Sequence, residues 1–130
     1  MTDDVRNDVT AELQVADDCL AAAEHLLRAR LPAQAAGRLY YAAFHAARAL
    51  LFSIGVAPRS HDALRSLFAL HFVKTGKMST AHSKALAELE GLRSAGDYDP
   101  NFALLMEDLQ PELDRARQIV ADARRVLAGN

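Results

Sequence analysis

The fold of this 130-residue chain is decided by the stretch Gly37-Arg-Leu-Tyr-Tyr-Ala-Ala-Phe-His-Ala-Ala-Arg-Ala-Leu-Leu-Phe52. Its apolar residues recur every three or four positions, which is the period of an α-helix. One stripe of the predicted helix is apolar and comprises Leu39, Ala43, Ala46, Ala47, Leu50 and Leu51. The neighbouring stripe is mixed and comprises Arg38, Tyr41, His45 and Arg48. The stretch therefore predicts one continuous helix whose two adjoining stripes differ in polarity.

The mixed stripe carries the first candidate site. Arg38 and His45 are seven residues apart, almost two helical turns, so their side chains project from the same face. An arginine can hold a phosphate by two hydrogen bonds, and an imidazole can transfer a proton near neutral pH. This pairing is typical of a phosphodiester-cleaving site, with Tyr41 and Arg48 beside it. The same spacing also fits a structural role in which the arginine is solvated and the histidine caps the core.

Composition bounds the class of protein. Apolar residues make up 51% of the chain and charged residues 25%, as in ordinary globular proteins. A length of 130 residues predicts a single domain spanning residues 1–130. The formal net charge of -2 argues against a nucleic-acid coat protein, which would be basic, but leaves room for a local basic cleft.

The expected location is the cytoplasm. The start of the chain, Met1–Asp8, is acidic and polar rather than apolar like a secretory leader. No apolar run reaches the length of a membrane span, so we expect no membrane association. Cys19 is the sole cysteine, which excludes an internal disulfide and suits a reducing compartment.

Periodicity predicts an all-α fold, a five-helix up-and-down bundle with short connections. The expected helices run from about Asp3 to Arg28, Pro32 to Ile54, His61 to Phe72, Thr80 to Ser94 and Glu112 to Leu127. We expect a break at Gly96–Pro100 and leave Asn101–Leu109 ambiguous, with a helical turn as one interpretation. Pro111 fits a helix that begins near Gln110, because proline damages a helix interior.

Three segments in this order resemble the HEPN domain family (higher eukaryotes and prokaryotes nucleotide-binding). They are Arg38–Leu51 within the quoted stretch, Ser60-His-Asp-Ala-Leu-Arg-Ser-Leu-Phe-Ala-Leu-His-Phe-Val-Lys-Thr-Gly76, and Arg93-Ser-Ala-Gly-Asp-Tyr-Asp99. The similarity is greatest to the bacterial and archaeal branch associated with minimal nucleotidyltransferases. It covers about Ala33–Asp99 closely and the terminal helices by pattern alone.

The resemblance implies an activity. In that family an arginine and a histidine separated by four to six residues form a ribonuclease motif, and six residues separate Arg38 from His45. Active members are metal-independent RNA endonucleases that dimerise, and many are toxins encoded beside a nucleotidyltransferase antitoxin. By this resemblance His45 would relay a proton as the ribose 2'-hydroxyl attacks phosphorus, and Arg38 would stabilise the phosphoryl charge. No cofactor is implied.

Two alternatives stay open. Leu39 follows the motif arginine, where active members often carry a polar residue. The chain can therefore also be interpreted as a non-catalytic subunit that binds a nucleotide or substrate for a nucleotidyltransferase. A third interpretation is a plain helical interaction module.

Arg93 and Tyr98 form a second candidate site. Asp97-Tyr98 resembles the loop motif of the family, in which the partner transferase silences the toxin by attaching a nucleotide to a tyrosine. Arg93 would then contact a phosphate. The structural alternative is that Tyr98 packs its ring on the bundle and Arg93 ends a helix.

The remaining histidines suggest no metal site. His71 and His82 fall on separate predicted helices without the spacing of ligands, so we expect no bound metal. His61 opens the third predicted helix, where it can bind an anion or cap the first turn, and we favour capping.

Overall fold

The computed structural model describes residues 1–100 and 106–129, and this part of the chain is an all-α bundle without a β-strand. Five α-helices follow one another, and a single π-helical turn, Ala69–Val73, extends the third. The helices are α1 (Asp3–Arg28), α2 (Pro32–Ser53), α3 (His61–Phe68), α4 (Thr80–Tyr98) and α5 (Met106–Leu127). The predicted fold class is confirmed. No helix in the described ranges is long and apolar enough to cross a lipid bilayer.

Helix α2 is the centre of the bundle, because α1, α4 and α5 all pack against it. The predicted apolar stripe is fully buried: Leu39, Ala43, Ala46, Ala47, Leu50 and Leu51 are at most 1% exposed. Alanine side chains let the neighbouring helices approach closely, and the leucines fill the space between them. This packing fixes the rotation of α2 about its axis and so decides which way the mixed stripe faces.

The first two helices begin and end at signals in the sequence. Thr2 caps α1 by accepting a hydrogen bond from the amide of Val5. Pro32 occupies the first turn of α2, where its missing N–H costs nothing. Gly55 follows the end of α2 with φ of 78°, a left-handed conformation that glycine adopts without strain.

The predicted end of α4 is wrong. The helix does not stop near Ser94 but continues through Gly96 to Tyr98. A Cβ at Gly96 would lie 3.5 Å from the Cβ of Ala33 at the start of α2. A Cβ at this distance would make an ordinary van der Waals contact, so the last turn of α4 lies against the start of α2 and Gly96 does not mark a break.

The predicted start of α5 is also wrong. The helix already includes Met106, so Pro111 lies inside it rather than at its beginning. Proline lacks the N–H that would bond the carbonyl of Glu107, but both residues are exposed and water can take its place. Of the ambiguous segment Asn101–Leu109, residues 101–105 lie outside the described part and residues 106–109 are helical.

A buried pair joins α4 to α5. Nε2 of His82 lies 2.6 Å from Oδ2 of Asp122, and His82 is 8% exposed. Burial by itself would raise the pKa of Asp122, but hydrogen bonds from His82, Gln118 and Arg125 outweigh it and lower that pKa below its usual value. This network is distant in sequence from the mixed stripe and links α4 to α5.

Candidate active site

His45 is held by a carboxylate on the neighbouring helix. Its Nδ1 lies 2.6 Å from Oε2 of Glu12 in α1, and NH1 of Arg48 lies 3.2 Å from the other oxygen, Oε1. The side chains of His45 and Glu12 are 19% and 13% exposed, so water screens this contact only partly. One carboxylate thus binds both the histidine and the second arginine of the mixed stripe.

The partner of Nδ1 decides what the other ring nitrogen can do. An ionised carboxylate is an acceptor, so Nδ1 of a neutral His45 carries the proton that it donates to Glu12. The lone pair of the neutral ring is then on Nε2, for which the described residues provide no hydrogen-bond partner. This arrangement leaves Nε2 able to accept a proton from a bound molecule.

Tyr41 connects His45 to two arginines. The guanidinium of Arg38 lies 5.2 Å from the centre of the Tyr41 ring, and that of Arg93 lies 5.9 Å from it. The ring of His45 is 6.3 Å from the same centre. Arg38 is exposed, whereas the Arg93 side chain is 15% exposed. Two cations beside one aromatic ring form a surface suited to a phosphate group and a stacked base.

Arg93 reaches this cluster from α4. It bonds Oδ2 of Asp97 at 3.2 Å, and its guanidinium lies 5.5 Å from the ring centre of Tyr40. Its Nε is buried and has no hydrogen-bond partner among the described residues. Helix α4 thus brings Arg93 beside Tyr41, and its contact with a phosphate stays a prediction.

His61 is a member of the cluster that the sequence did not predict. Ser60 caps α3, and the ring of His61 instead bonds the hydroxyl of Tyr40, with 2.8 Å between Nδ1 and the oxygen. The preferred interpretation of His61 as a capping residue was wrong. Glu90 is partly buried, and its Oε1 lies 3.8 Å from Nδ1 of His61. It also pairs with Arg65.

Tyr98 is the last residue of α4 and is 77% exposed. It lies on a helix rather than on the expected loop, because α4 continues past Gly96. The alternative in which its ring packs on the bundle does not agree with this exposure. Asp97, the preceding residue, bonds Arg93, so the end of α4 is tied to the cluster around Tyr41.

The structure thus brings together Arg38, Tyr41, His45, Arg48 and Arg93, with Tyr98 beside the residue that holds Arg93. It adds Glu12 and His61. Glu12 gave no signal in the sequence, because an acidic residue in an amphipathic helix is usually solvated. Within residues 1–100 and 106–129 no three His, Cys, Asp or Glu side chains are grouped to hold a metal ion.

Comparison with known proteins identifies the family of this chain. The family model described as "HEPN domain" matches residues 10–128, nearly the whole chain. The chain belongs to the HEPN domain family.

Individual relatives agree with this assignment. A protein of Methanocaldococcus jannaschii named "Putative toxin MJ0605" is 29% identical over 92% of this chain and 84% of its own length. A second protein of that organism, "Putative toxin MJ0142", is 24% identical over 88% of this chain and 78% of its own. A Gloeobacter violaceus protein, "UPF0332 protein glr0978", is 31% identical over 87% of this chain and 90% of its own.

Proposed function

We propose that this HEPN protein is a metal-independent RNA endonuclease and the toxin of a toxin–antitoxin pair whose antitoxin is a minimal nucleotidyltransferase. The observation that supports it most is the bond between Glu12 and Nδ1 of His45, which leaves Nε2 free to accept a proton. The toxin names of two relatives support the biological role. The proposal treats residues 1–130 as one domain acting on RNA in the cytoplasm.

The proposed reaction uses the ribose 2'-hydroxyl as nucleophile. Nε2 of His45 removes the hydroxyl proton as the oxygen attacks the adjacent phosphorus. Arg38 and Arg93, whose guanidiniums both lie beside the ring of Tyr41, bind the phosphoryl oxygens and stabilise the added charge. DNA lacks the 2'-hydroxyl and should not be cut.

The proposal includes a homodimer. His45 and Arg48 are partly exposed on α2, and a twofold contact over this face would bring two copies of the motif into one cleft. Light scattering at increasing protein concentration measures the mass directly. A monomer at every concentration, together with full activity, would remove the dimer from the proposal.

The decisive experiment measures cleavage of single-stranded RNA by purified protein. We expect His45→Ala and Arg38→Ala to lose activity and the toxicity of overexpression while retaining helix content. Arg28→Ala is the matched control, because Arg28 is an exposed arginine on α1 away from Tyr41. Removal of a group that stabilises the transition-state charge costs about 3 kcal/mol, or roughly a hundredfold in rate. Cleavage that survives both motif substitutions would contradict the proposal.

Metal dependence is tested separately. Cleavage should proceed unchanged in excess EDTA, because the proposed chemistry is carried by side chains alone. Activity that disappears on chelation and returns with magnesium would assign the reaction to a different mechanism.

Control by the partner is proposed at Tyr98. Its phenol is 77% exposed at the end of α4, so an enzyme can reach it. A nucleotide attached there would place negative charge next to Asp97, the partner of Arg93, and would repel RNA. Mass spectrometry after co-expression with the neighbouring transferase should find an adduct that Tyr98→Phe removes. An unmodified chain that is still neutralised would mean inhibition by binding alone.

The second candidate function is a nucleotide-binding subunit without catalysis. Its support is the pair of guanidiniums beside the ring of Tyr41, which suffices to bind a phosphate and a base. Calorimetry with nucleoside triphosphates distinguishes the two functions. Binding that requires Arg93, in a protein that leaves RNA intact, would favour this candidate.

A further inference from the structure

His61 borders the same aromatic residues as His45. The ring of His61 lies 4.9 Å from the ring of Phe44 and 6.1 Å from that of Tyr41, measured between centroids. The ring of His45 lies 5.1 Å and 6.3 Å from the same two rings. The start of α3 therefore places a second imidazole beside the motif helix. The His61 side chain is 37% exposed, which leaves it accessible to a bound molecule.

The two histidines have opposite hydrogen-bond partners. Tyr40 is completely buried, and this burial raises the pKa of its hydroxyl far above the usual value, so the hydroxyl stays protonated. The hydroxyl can donate to or accept from Nδ1 of neutral His61. In protonated His61 both ring nitrogens carry a proton, Nδ1 donates to the Tyr40 oxygen, and Nε2 is a donor. Nε2 of protonated His61 is thus a donor, whereas Nε2 of neutral His45 is an acceptor.

The surroundings of His61 also accommodate its charged form. Oε1 of Glu90 lies 3.8 Å from Nδ1, close enough to offset a positive charge on the ring. Arg65 and Arg93 also face Glu90, and both pair with it, so its carboxylate is shared among three cationic groups. These contacts come from α3 and α4, and they leave Nε2 as the ring nitrogen directed away from the buried hydroxyl.

We propose that His61 is a second catalytic residue of this site and donates a proton to the leaving oxygen of the RNA. This inference rests on the proposed ribonuclease function and deepens it. Nε2 of His45 takes the proton of the 2'-hydroxyl as the bond between that oxygen and phosphorus forms. The bond between phosphorus and the 5' oxygen breaks, and this oxygen receives the proton from Nε2 of protonated His61. The products are a 2',3'-cyclic phosphate and a 5'-hydroxyl. His45 ends the step with one proton more, and His61 ends it with one proton fewer.

The test uses His61→Asn, because the side-chain oxygen of asparagine can lie near the position of Nδ1 and accept a hydrogen bond from the Tyr40 hydroxyl. His71→Asn is the matched control, because it makes the same chemical change in the segment after α3, outside the cluster. Two substrates are compared: an RNA oligonucleotide that the wild-type protein is first shown to cut, and the same oligonucleotide with sulfur in place of the bridging 5' oxygen at the cut bond. A thiolate leaves without being protonated, because a thiol is far more acidic than an alcohol.

We expect His61→Asn to cut normal RNA about a hundredfold or more slowly than the wild type and to cut the sulfur substrate at nearly the wild-type rate. His45→Ala should be slow on both substrates, since the base is still required. His71→Asn should match the wild type on both. Circular dichroism and thermal melting of each variant check that the bundle is intact.

Three results would overturn the inference. A His61→Asn variant as active as the wild type, or one equally slow on both substrates, would refute the role of His61 and leave the ribonuclease proposal standing. A wild-type protein that cuts no RNA in the initial screen for a substrate would refute both.

Discussion

Replacing Glu12 with glutamine tests whether the carboxylate beside His45 sets the chemistry of the site. The substitution keeps the size of the side chain and removes its charge. Hydrogen bonds to charged groups are worth about 1.5–3 kcal/mol when the pair is shielded from water, as the 13% and 19% exposed side chains are. If that stabilisation supports the transition state, in which His45 becomes positively charged, the cleavage rate should fall about 10- to 150-fold.

The assay is a time course of RNA cleavage with substrate in excess, read together with the 15N signals of the His45 ring. We expect the ring proton to redistribute between Nδ1 and Nε2 in Glu12→Gln, because an amide can either donate to or accept from Nδ1. Glu24→Gln is the matched control, since Glu24 is on the same helix and bonds Arg117 instead. Unchanged cleavage with unchanged ring signals would refute the reasoning. A redistributed proton with unchanged cleavage would show that Glu12 orients His45 without affecting the reaction.

Three further predictions concern stability. Leu50→Ala should lower the free energy of unfolding in urea by about 2–5 kcal/mol, because Leu50 is fully buried, whereas Leu70→Ala at a 48% exposed position should change it by less than about 0.5 kcal/mol. Asp122→Asn should destabilise the bundle at neutral pH, and the difference from wild type should shrink in acid. The pKa of Asp122 is lowered in the folded protein, so its contribution is present above the pKa of an unfolded aspartate and is lost as the pH falls through the folded value. Gly55→Ala should lower the free energy of unfolding by about 1 kcal/mol, the cost of a left-handed alanine, and the melting temperature should fall with it; an unchanged melting temperature would mean that this turn rearranges.

The fold was predictable because the apolar period of each helix reports which side is buried. The stripe of α2 read from the sequence is the stripe that the bundle buries. The errors fall at Gly96 and Pro111, whose usual meaning is a helix break. At Gly96 the last turn of α4 lies against Ala33, and at Pro111 the carbonyl that loses its N–H partner belongs to an exposed residue that water can reach. Neither circumstance can be read from the local sequence. Each depends on whether a residue distant in the sequence, or only solvent, lies next to the position in the folded chain.

The candidate site was only half predictable, for a related reason. Arg38, Tyr41 and His45 share one helix, so their spacing places them together. Glu12 contacts His45 from 33 positions away in the chain, and the helical period of α1 shows only that Glu12 lies next to the buried stripe. His61 was expected to interact within its own first turn, but Tyr40 is a closer partner once α3 packs against α2.

The alanines of α2 have a consequence for mutational screens. Seven alanines of this helix are buried, and a larger side chain at any of them must displace a neighbouring helix, at a cost of about 1–3 kcal/mol. The same helix carries Arg38, Tyr41, His45 and Arg48 on its adjoining face. Inactive variants recovered from random mutagenesis will therefore accumulate along one segment of the gene for two unrelated reasons, loss of folding and loss of chemistry. Only the amount of soluble protein separates them, and a map of inactivating positions alone would overstate the size of the active site.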